Sequence, residues 1–259
     1  MPTPLGAHSP RLDAVRELRT KRGRRDQGRF AVEGTTLLGE AVASGRVPEA
    51  VFATESALAG LPSTGDAPVF VVPDRAMARL SELQTPPGIV AVFPLTLTSL
   101  EALLQGGEPA VLLAGVADPG NAGTLLRSAE IFGIERAIFG RDGVEPFNPK
   151  VVRATMGAIF RTAIALAEPH ELLAATRRHG YEVVAATSEG EPLPEFHFPA
   201  RPLLAIGNER RGVSGWLPDW DLEVAIPQRG RGESLNAAVA GGIILYAYSQ
   251  ACGGTRRKA

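Results

Sequence analysis

The chain has little of several things, and each shortage excludes a class of protein. Cys252 is its single cysteine among 259 residues, so no intrachain disulfide and no zinc-type cysteine cluster can form. Histidine is scarce as well: His8, His170, His179 and His197 show no ligand spacing, and no metal is expected. No long apolar run exists. The longest, Ala237 to Tyr248, is interrupted by glycines and is well short of the roughly 20 residues a membrane span needs. The N-terminal MPTPLGAHSPR lacks the basic-then-apolar layout of a secretory signal. A cytoplasmic protein with no membrane contact is the expectation. Lysine is rare too, three against 24 arginines. That bias suits bidentate phosphate contacts, and GC-rich codons would produce it equally well.

What is present is an ordinary globular composition, 44% apolar and 21% charged, of a length for one large domain or two modest ones. Charge is unevenly spread. The first 30 residues carry eight Lys/Arg against three Asp/Glu, and the tail ends Arg256-Arg257-Lys258 on a chain whose net charge is −1. A basic head and tail on an acidic body fits contact with a polyanion, or simply solvated termini.

The head reads as a small α/β unit. Residues 10–25 fit one helix, with Leu12, Val15 and Leu18 on one face and arginines on the rest. Arg29 to Glu33 reads as a strand, Gly34 breaks it, and Thr35 is placed to cap a helix to about Ser44. Strands at Ala50–Thr54, Val69–Val72 and Ile89–Phe93 enclose a helix from about Asp74 to Leu83. The boundary falls between about 95 and 108, giving domains 1–100 and 101–259. Beyond it strands and helices alternate: strands at Ala110–Ala114, Ala137–Phe139, Thr162–Leu166, Glu182–Ala186, Pro202–Ile206 and Leu222–Ala225. Helices are expected at Ala122–Phe132, near Pro149–Gly157, at His170–His179 and at Asn236–Gln250. The buried strands are near-continuous apolar runs, the mark of a mostly parallel sheet covered on both faces.

Three loops carry polar residues where a parallel sheet binds ligands, beyond the carboxyl ends of its strands. The first runs Asp118 to Arg127, with Asn121 placed to cap a helix and Arg127 about one and a half turns in. The second follows strand Leu204–Ile206 with Gly207, Asn208 and Glu209; an exposed turn with Gly207 at positive φ is the plain alternative. The third runs from Ile226 through Gly/Arg residues to Ser234, Leu235 and Asn236, with Ser234 a plausible N-cap. None has the GxGxxG spacing of a dinucleotide fingerprint.

Taken in order, N-x-G-x-x-x-R, then G-N-E-x-x-G after a strand, then I-P-x(6)-S-L-N-x-A-x-A resemble the three motifs of the SpoU family. These are the 2′-O-ribose RNA methyltransferases of the SPOUT superfamily. The head, from LRTKRGRRDQGRFAVEGTTLLGEAV to VFATE, is similar to the L30e-like substrate-binding domain of many such enzymes. The resemblance implies an α/β fold whose C-terminal SPOUT domain has a mostly parallel sheet and a deep trefoil knot. It implies S-adenosylmethionine as methyl donor, held at Thr187, Gly207, Ile226 and Leu235. The polar motif positions, and so the catalytic candidates, are Asn121, Arg127, Glu209, Ser234 and Asn236. Arg127 would handle the ribose hydroxyl, the two asparagines would orient it or the ribose, and Glu209 would pair with a cation. RNA phosphates would meet Arg19, Lys21, Arg22, Arg24, Arg25 and Arg29. A homodimer is implied, using Val239, Ile243, Ile244, Tyr246 and Tyr248 of the last helix and the loop near Pro119, with rRNA favoured over tRNA as substrate. Gln228, Arg229 and Arg231 depart from the family's usual third loop. A non-catalytic RNA binder would lack the polar motif residues, and an ordinary Rossmann enzyme would need a Gly-rich loop after its first strand; neither description fits.

Overall fold

A computed structural model describes residues 2–230 and 234–252. The tail Arg256-Arg257-Lys258 and the loop residue Arg231 lie outside the described residues. The chain forms two compact units, Met1–Thr96 with Phe147–Phe160, and Leu97–Pro146 with Arg161–Ala259.

The first unit contains β1 (Thr3–Pro4), α1 (Pro10–Glu17), α2 (Lys21–Gln27), β2 (Arg29–Glu33), α3 (Thr35–Ala43), β3 (Ala50–Ala53), β4 (Val69–Val71), α4 (Asp74–Leu80) and β5 (Ile89–Pro94). Its sheet runs β1-β4-β3-β5-β2, with β5 antiparallel to both its neighbours and the other pairs parallel. Leu12, Val15 and Leu18 pack on Phe52, Phe70, Met77 and Val92, which is why their helical spacing was visible in the sequence.

The single helix expected over 10–25 is two. Thr20 ends the first and caps the second: its hydroxyl donates to the Glu17 carbonyl (2.9 Å) and accepts from the Gly23 amide (3.0 Å). The corner is tight enough that a Cβ on Gly23 would lie 2.1 Å from the Glu17 carbonyl oxygen. Arg24, expected to face RNA, is buried at 2% exposure and donates to the Leu18 carbonyl at 2.8 Å. Its charge serves the orphan carbonyls at the end of α1, so it is no phosphate ligand. Thr35 is the first residue of α3 and not its cap; that position belongs to Gly34, whose φ of +90° strongly favours glycine.

The segment 147–160 groups with this unit although it lies far along the chain. Phe147 and Phe160 pack on Phe30, at centroid distances of 4.9 and 6.1 Å, and Phe160 also meets Phe93. Arg153 reaches the carboxylates of Glu33 (3.8 Å) and Glu82 (3.6 Å).

The second unit holds α5 (Leu100–Leu104), β6 (Ala110–Ala114), α6 (Pro119–Ile131), β7 (Arg136–Gly140), β8 (Ala163–Ala167), α8 (Pro169–His179), β9 (Glu182–Thr187), β10 (Glu191–Pro192), β11 (Pro202–Gly207), β12 (Leu222–Ala225) and α9 (Ala237–Ala251); α7 is the Pro149–Ala154 helix of the first unit. The seven strands run β10-β12-β9-β11-β6-β7-β8, and every pair is parallel. β6 is buried at all five positions and β11 at its first five, so the apolar runs do mark interior strands. The strand order reverses where β11 enters between β6 and β9. Such a switch point is where open parallel sheets bind ligands.

α9 lies against α6 and β11 because Gly241 has no side chain. A Cβ there would sit 2.2 Å from Leu125 Cδ2 and 3.3 Å from Ile206 Cγ1. The small-residue run at the start of α9 is a packing surface.

The α1–α2 corner gives a stability test. Gly23→Ala would gain about 1 kcal/mol of helix propensity. It would also drive a methyl into a backbone carbonyl that no rotamer change can move, costing about 1–3 kcal/mol or more. A lowered melting transition is expected in calorimetry of the full chain; an unchanged or raised one would show that the corner opens at no cost.

Candidate functional site

A cavity of about 270 Å³ opens at the carboxyl ends of β9, β11 and β12. Its walls are apolar, from Ile206, Val224, Ile226 and Ile244, with Ala237 and Ala240 keeping one side shallow. Thr187, Ser188, Asn208 and Glu209 bring polar groups to it. All four residues expected to hold a donor, Thr187, Gly207, Ile226 and Leu235, line this cavity, together with Glu209 and Ser234.

Gly207 is required here for a reason other than the one its place in a turn suggests. Its φ is not positive; a Cβ on it would lie 2.1 Å from the Gly212 carbonyl carbon and 2.2 Å from the Val213 nitrogen. The chain doubles back on itself, with positive φ falling at Gly212 (+61°). Asn208 and Gly212 exchange backbone hydrogen bonds of 3.2 and 2.8 Å across the turn. The Asn208 side chain donates to the Gly115 carbonyl (3.2 Å) and accepts from the Arg210 amide (3.0 Å). Asn208 thus ties the second loop to the first. That tie is not legible in the residue type; its one sequence signal is the place of Asn208 directly after the strand.

The capping assignments in the sequence are exchanged in the structure. Asp118, not Asn121, caps α6: its carboxylate accepts from the Asn121 amide at 2.8 Å. Asn236, not Ser234, caps α9, its Oδ1 accepting from the Ala238 (2.9 Å) and Val239 (3.3 Å) amides. Asn121 is left inside the first turn with a free side chain. Its Nδ2 donates to the Glu209 carboxylate and its Oδ1 accepts from Asn236 Nδ2 at 3.0 Å. One amide therefore joins residues from all three loops. Glu209 was expected to pair with a cation; its partner is this neutral amide.

The Thr187 hydroxyl donates to Glu223 (2.9 Å), whose other oxygen accepts from the Trp220 indole (2.8 Å). Arg127 lies on the exposed side of α6, about two turns from Pro119 rather than one and a half, because the helix starts earlier than the sequence implied. Among the described residues it makes no ion pair or hydrogen bond, so the asparagines do not orient it directly.

In the head, Arg19, Lys21, Arg22, Arg25 and Arg29 are exposed. Arg19 pairs with Glu82 (3.6 Å), Arg22 and Arg25 with Asp26 (3.3 and 3.5 Å), and Arg29 with Glu49. Among the described residues no group of three or more His, Cys, Asp or Glu is arranged to hold a metal, and no helix is long and apolar enough to cross a membrane.

Comparison with known proteins fits this geometry. The model of the SpoU rRNA Methylase family matches residues 108–246. The chain belongs to that family. The MRM3-like substrate binding domain model matches residues 9–91, where the substrate-binding head was expected. A 23S rRNA (guanosine(2553)-2′-O)-methyltransferase, RlmP, from Bacillus subtilis is 30% identical over 93% of this chain and 96% of its own. Among solved structures, the SpoU methyltransferase AviRb from Streptomyces viridochromogenes, in complex with S-adenosylmethionine, superposes with a TM-score of 0.82. It is 27% identical, over 95% of this chain and all of its own. An S-adenosylmethionine-bound rRNA methyltransferase from Sinorhizobium meliloti gives 0.81 at 27% identity, over 95% and 98% of the two chains.

This SpoU chain is an S-adenosylmethionine-dependent RNA methyltransferase, and its cavity suits that donor chemically. The apolar walls and small Ala237 and Ala240 fit a flat purine, while Thr187, Asn208 and Glu209 offer partners for ribose hydroxyls and an ammonium.

Gly207→Ala tests whether the doubled-back turn shapes the cavity. The added methyl meets backbone, so the loop must move. Donor affinity measured by calorimetric titration should fall at least tenfold, with a lower melting temperature. Unchanged affinity would separate the turn from the donor site.

Proposed function

We propose that this enzyme methylates a ribose 2′-hydroxyl of 23S rRNA, with residues 101–259 catalytic and 1–100 holding the substrate. The observation that carries the reading is the Glu209–Asn121–Asn236 bridge, which gathers all three motif loops beside one cavity at the strand ends. The Bacillus relative named above is a 23S rRNA 2′-O-methyltransferase, which supports rRNA over tRNA. The trefoil knot belongs to the same reading, since the loops after β11 and before α9 that would form it line the cavity. A cytoplasmic location follows from the substrate.

S-adenosylmethionine supplies an activated methyl group on a sulfonium. The chain must position the acceptor and ease loss of a proton from a weakly acidic hydroxyl. We assign this to Arg127, the cation of the first motif, which is exposed and without an ion pair among the described residues. An arginine is effectively always protonated, so Arg127 stabilises the developing alkoxide and anchors ribose or phosphate rather than acting as a base. Asn121, Glu209 and Asn236 hold the loops in register, and Ser234 completes the cavity wall. Lys21, Arg19, Arg22, Arg25 and Arg29 meet RNA phosphates; the exposed ion pairs of the four arginines are worth only about 0–1 kcal/mol each and yield to a stronger anion.

The enzyme works as a homodimer. Val239, Ile243 and Tyr246 of α9 are 50, 37 and 53% exposed, and Ile131 of α6 is 62% exposed. Ile244 and Tyr248, expected on the same surface, are buried at 2 and 8% and pack inward.

Two measurements test the reading. Arg127→Ala should lower the single-turnover rate on rRNA by about 10²–10³-fold while leaving donor affinity intact. A near-parental rate would remove Arg127 from the mechanism. Ile243→Asp with Tyr246→Ser should convert a dimer mass in light scattering to a monomer mass; a parental monomer at micromolar concentration would overturn the dimer.

A further inference from the structure

The first unit holds a second cavity, of about 220 Å³, on the side of the sheet covered by α1 and the end of α2. Phe52 and Phe70 stack on each other beneath it, with ring centroids 5.3 Å apart. The Arg11 guanidinium lies over the Phe70 ring, 4.8 Å from its centroid. Arg11 differs from the other arginines of the first 30 residues. Arg16, Arg19, Arg22, Arg25 and Arg29 each have a carboxylate partner, and Arg24 is buried. The Arg11 guanidinium makes no ion pair or hydrogen bond among the described residues; an aromatic face holds it. Gln27, Arg29 and Glu49 complete the polar part of the lining. Gln27 is itself fixed, its amide donating to the Ala14 carbonyl (3.0 Å) and the Glu17 carboxylate (3.2 Å). Arg29 pairs with Glu49, a carboxylate that is released when Arg29 turns to a phosphate.

We propose that this cavity takes one unstacked RNA base, stacked on the Arg11 guanidinium and read at its edge by Gln27 and Glu49. Phosphates need exposed cations without walls, and Arg22 and Arg25 of α2 are of that kind. This site instead has an aromatic floor, a planar cation resting over it, and an amide and a carboxylate as edge partners. Single-stranded RNA is recognised by that combination, through bases stacked on aromatic or guanidinium planes and hydrogen-bonded at their edges. Size agrees. The volume is below the roughly 300–1,000 Å³ of whole small-molecule sites, so it admits a ring and not a whole nucleotide. Phe70 serves by holding Arg11 in place, since a planar cation resting on a ring loses less freedom when a base arrives. The inference rests on the proposal that this chain acts on RNA. It adds that the head selects a base as well as attracting a backbone.

The test uses the full chain and two heptauridylate probes, one intact and one with an abasic ribose at its centre. The parental chain should prefer the intact probe by about tenfold, the scale of one stacked base. Arg11→Ala should bind both probes alike. Arg11→Lys, which keeps the charge without the plane, should also lose most of the preference. Donor titration on the same preparations verifies that the variants are folded. On rRNA, Arg11→Ala should raise the KM by about tenfold and leave the saturating single-turnover rate unchanged. Absence of preference in the parental chain overturns the base site. So does an Arg11→Ala chain that weakens both probes equally with a salt slope reduced by about 0.7, the mark of a phosphate contact. If the parental chain transferred no methyl group to rRNA, the functional reading itself would fail, which the rRNA assay reports separately from the probes.

Discussion

At the end of β11 the chain folds back so closely that the Gly207 α-carbon faces the backbone of Gly212 and Val213, with no space for a methyl group. The site follows from that contact. It turns Asn208 toward the Gly115 carbonyl, and so fixes the second loop to the end of β6. It places Glu209 within reach of Asn121 on α6. On the other face of β11, Gly241 lets α9 approach Ile206 and Leu125, which brings Asn236 to the same amide. The cavity is the space left between a strand end that cannot carry a side chain and a helix start that carries only small ones. Its shape is set by backbone, which is harder to deform than side chains.

The polar groups around the cavity are mainly structural in their direct contacts. Asp118 and Asn236 satisfy helix N-termini, and Asn121 joins Glu209 to Asn236. These bonds are individually modest, of order 1 kcal/mol each. Together they hold three loops that are distant in sequence. Arg127 stands apart, exposed and without a partner among the described residues. That division suits the proposed reaction, in which an intrinsically reactive donor needs positioning above all.

In the head, the arginines divide into three kinds that look identical in sequence. Arg24 is an internal cation spent on a helix end. Arg19, Arg22, Arg25 and Arg29 sit in exposed ion pairs that a polyanion can exchange. Arg11 rests on an aromatic ring above a cavity. Composition counts them all as positive charge, while their environments give them different chemistry.

The sequence by itself determined the interior strands of the second unit, because a strand buried on both faces must be apolar along its length: Ala110–Ala114 falls where its composition put it, and Pro202–Gly207 within one residue of it. It also pointed to the loops, since they follow strands of a parallel sheet at their carboxyl ends, and every donor position carried over from the family motifs lines the cavity. Two-residue β1 and β10 were invisible, being too short to show any period. Tertiary structure alone decided which asparagine caps and which bridges, because Asp118, Asn121, Ser234 and Asn236 are all competent to cap locally. It decided the break at Thr20 and the burial of Arg24, which follow from a close approach at Gly23 that a helical pattern cannot register. It decided that 147–160 groups with the first unit, through Phe147 and Phe160 against Phe30. Local pattern fixes what a residue can do; contacts between residues far apart in the chain fix which of those things it does.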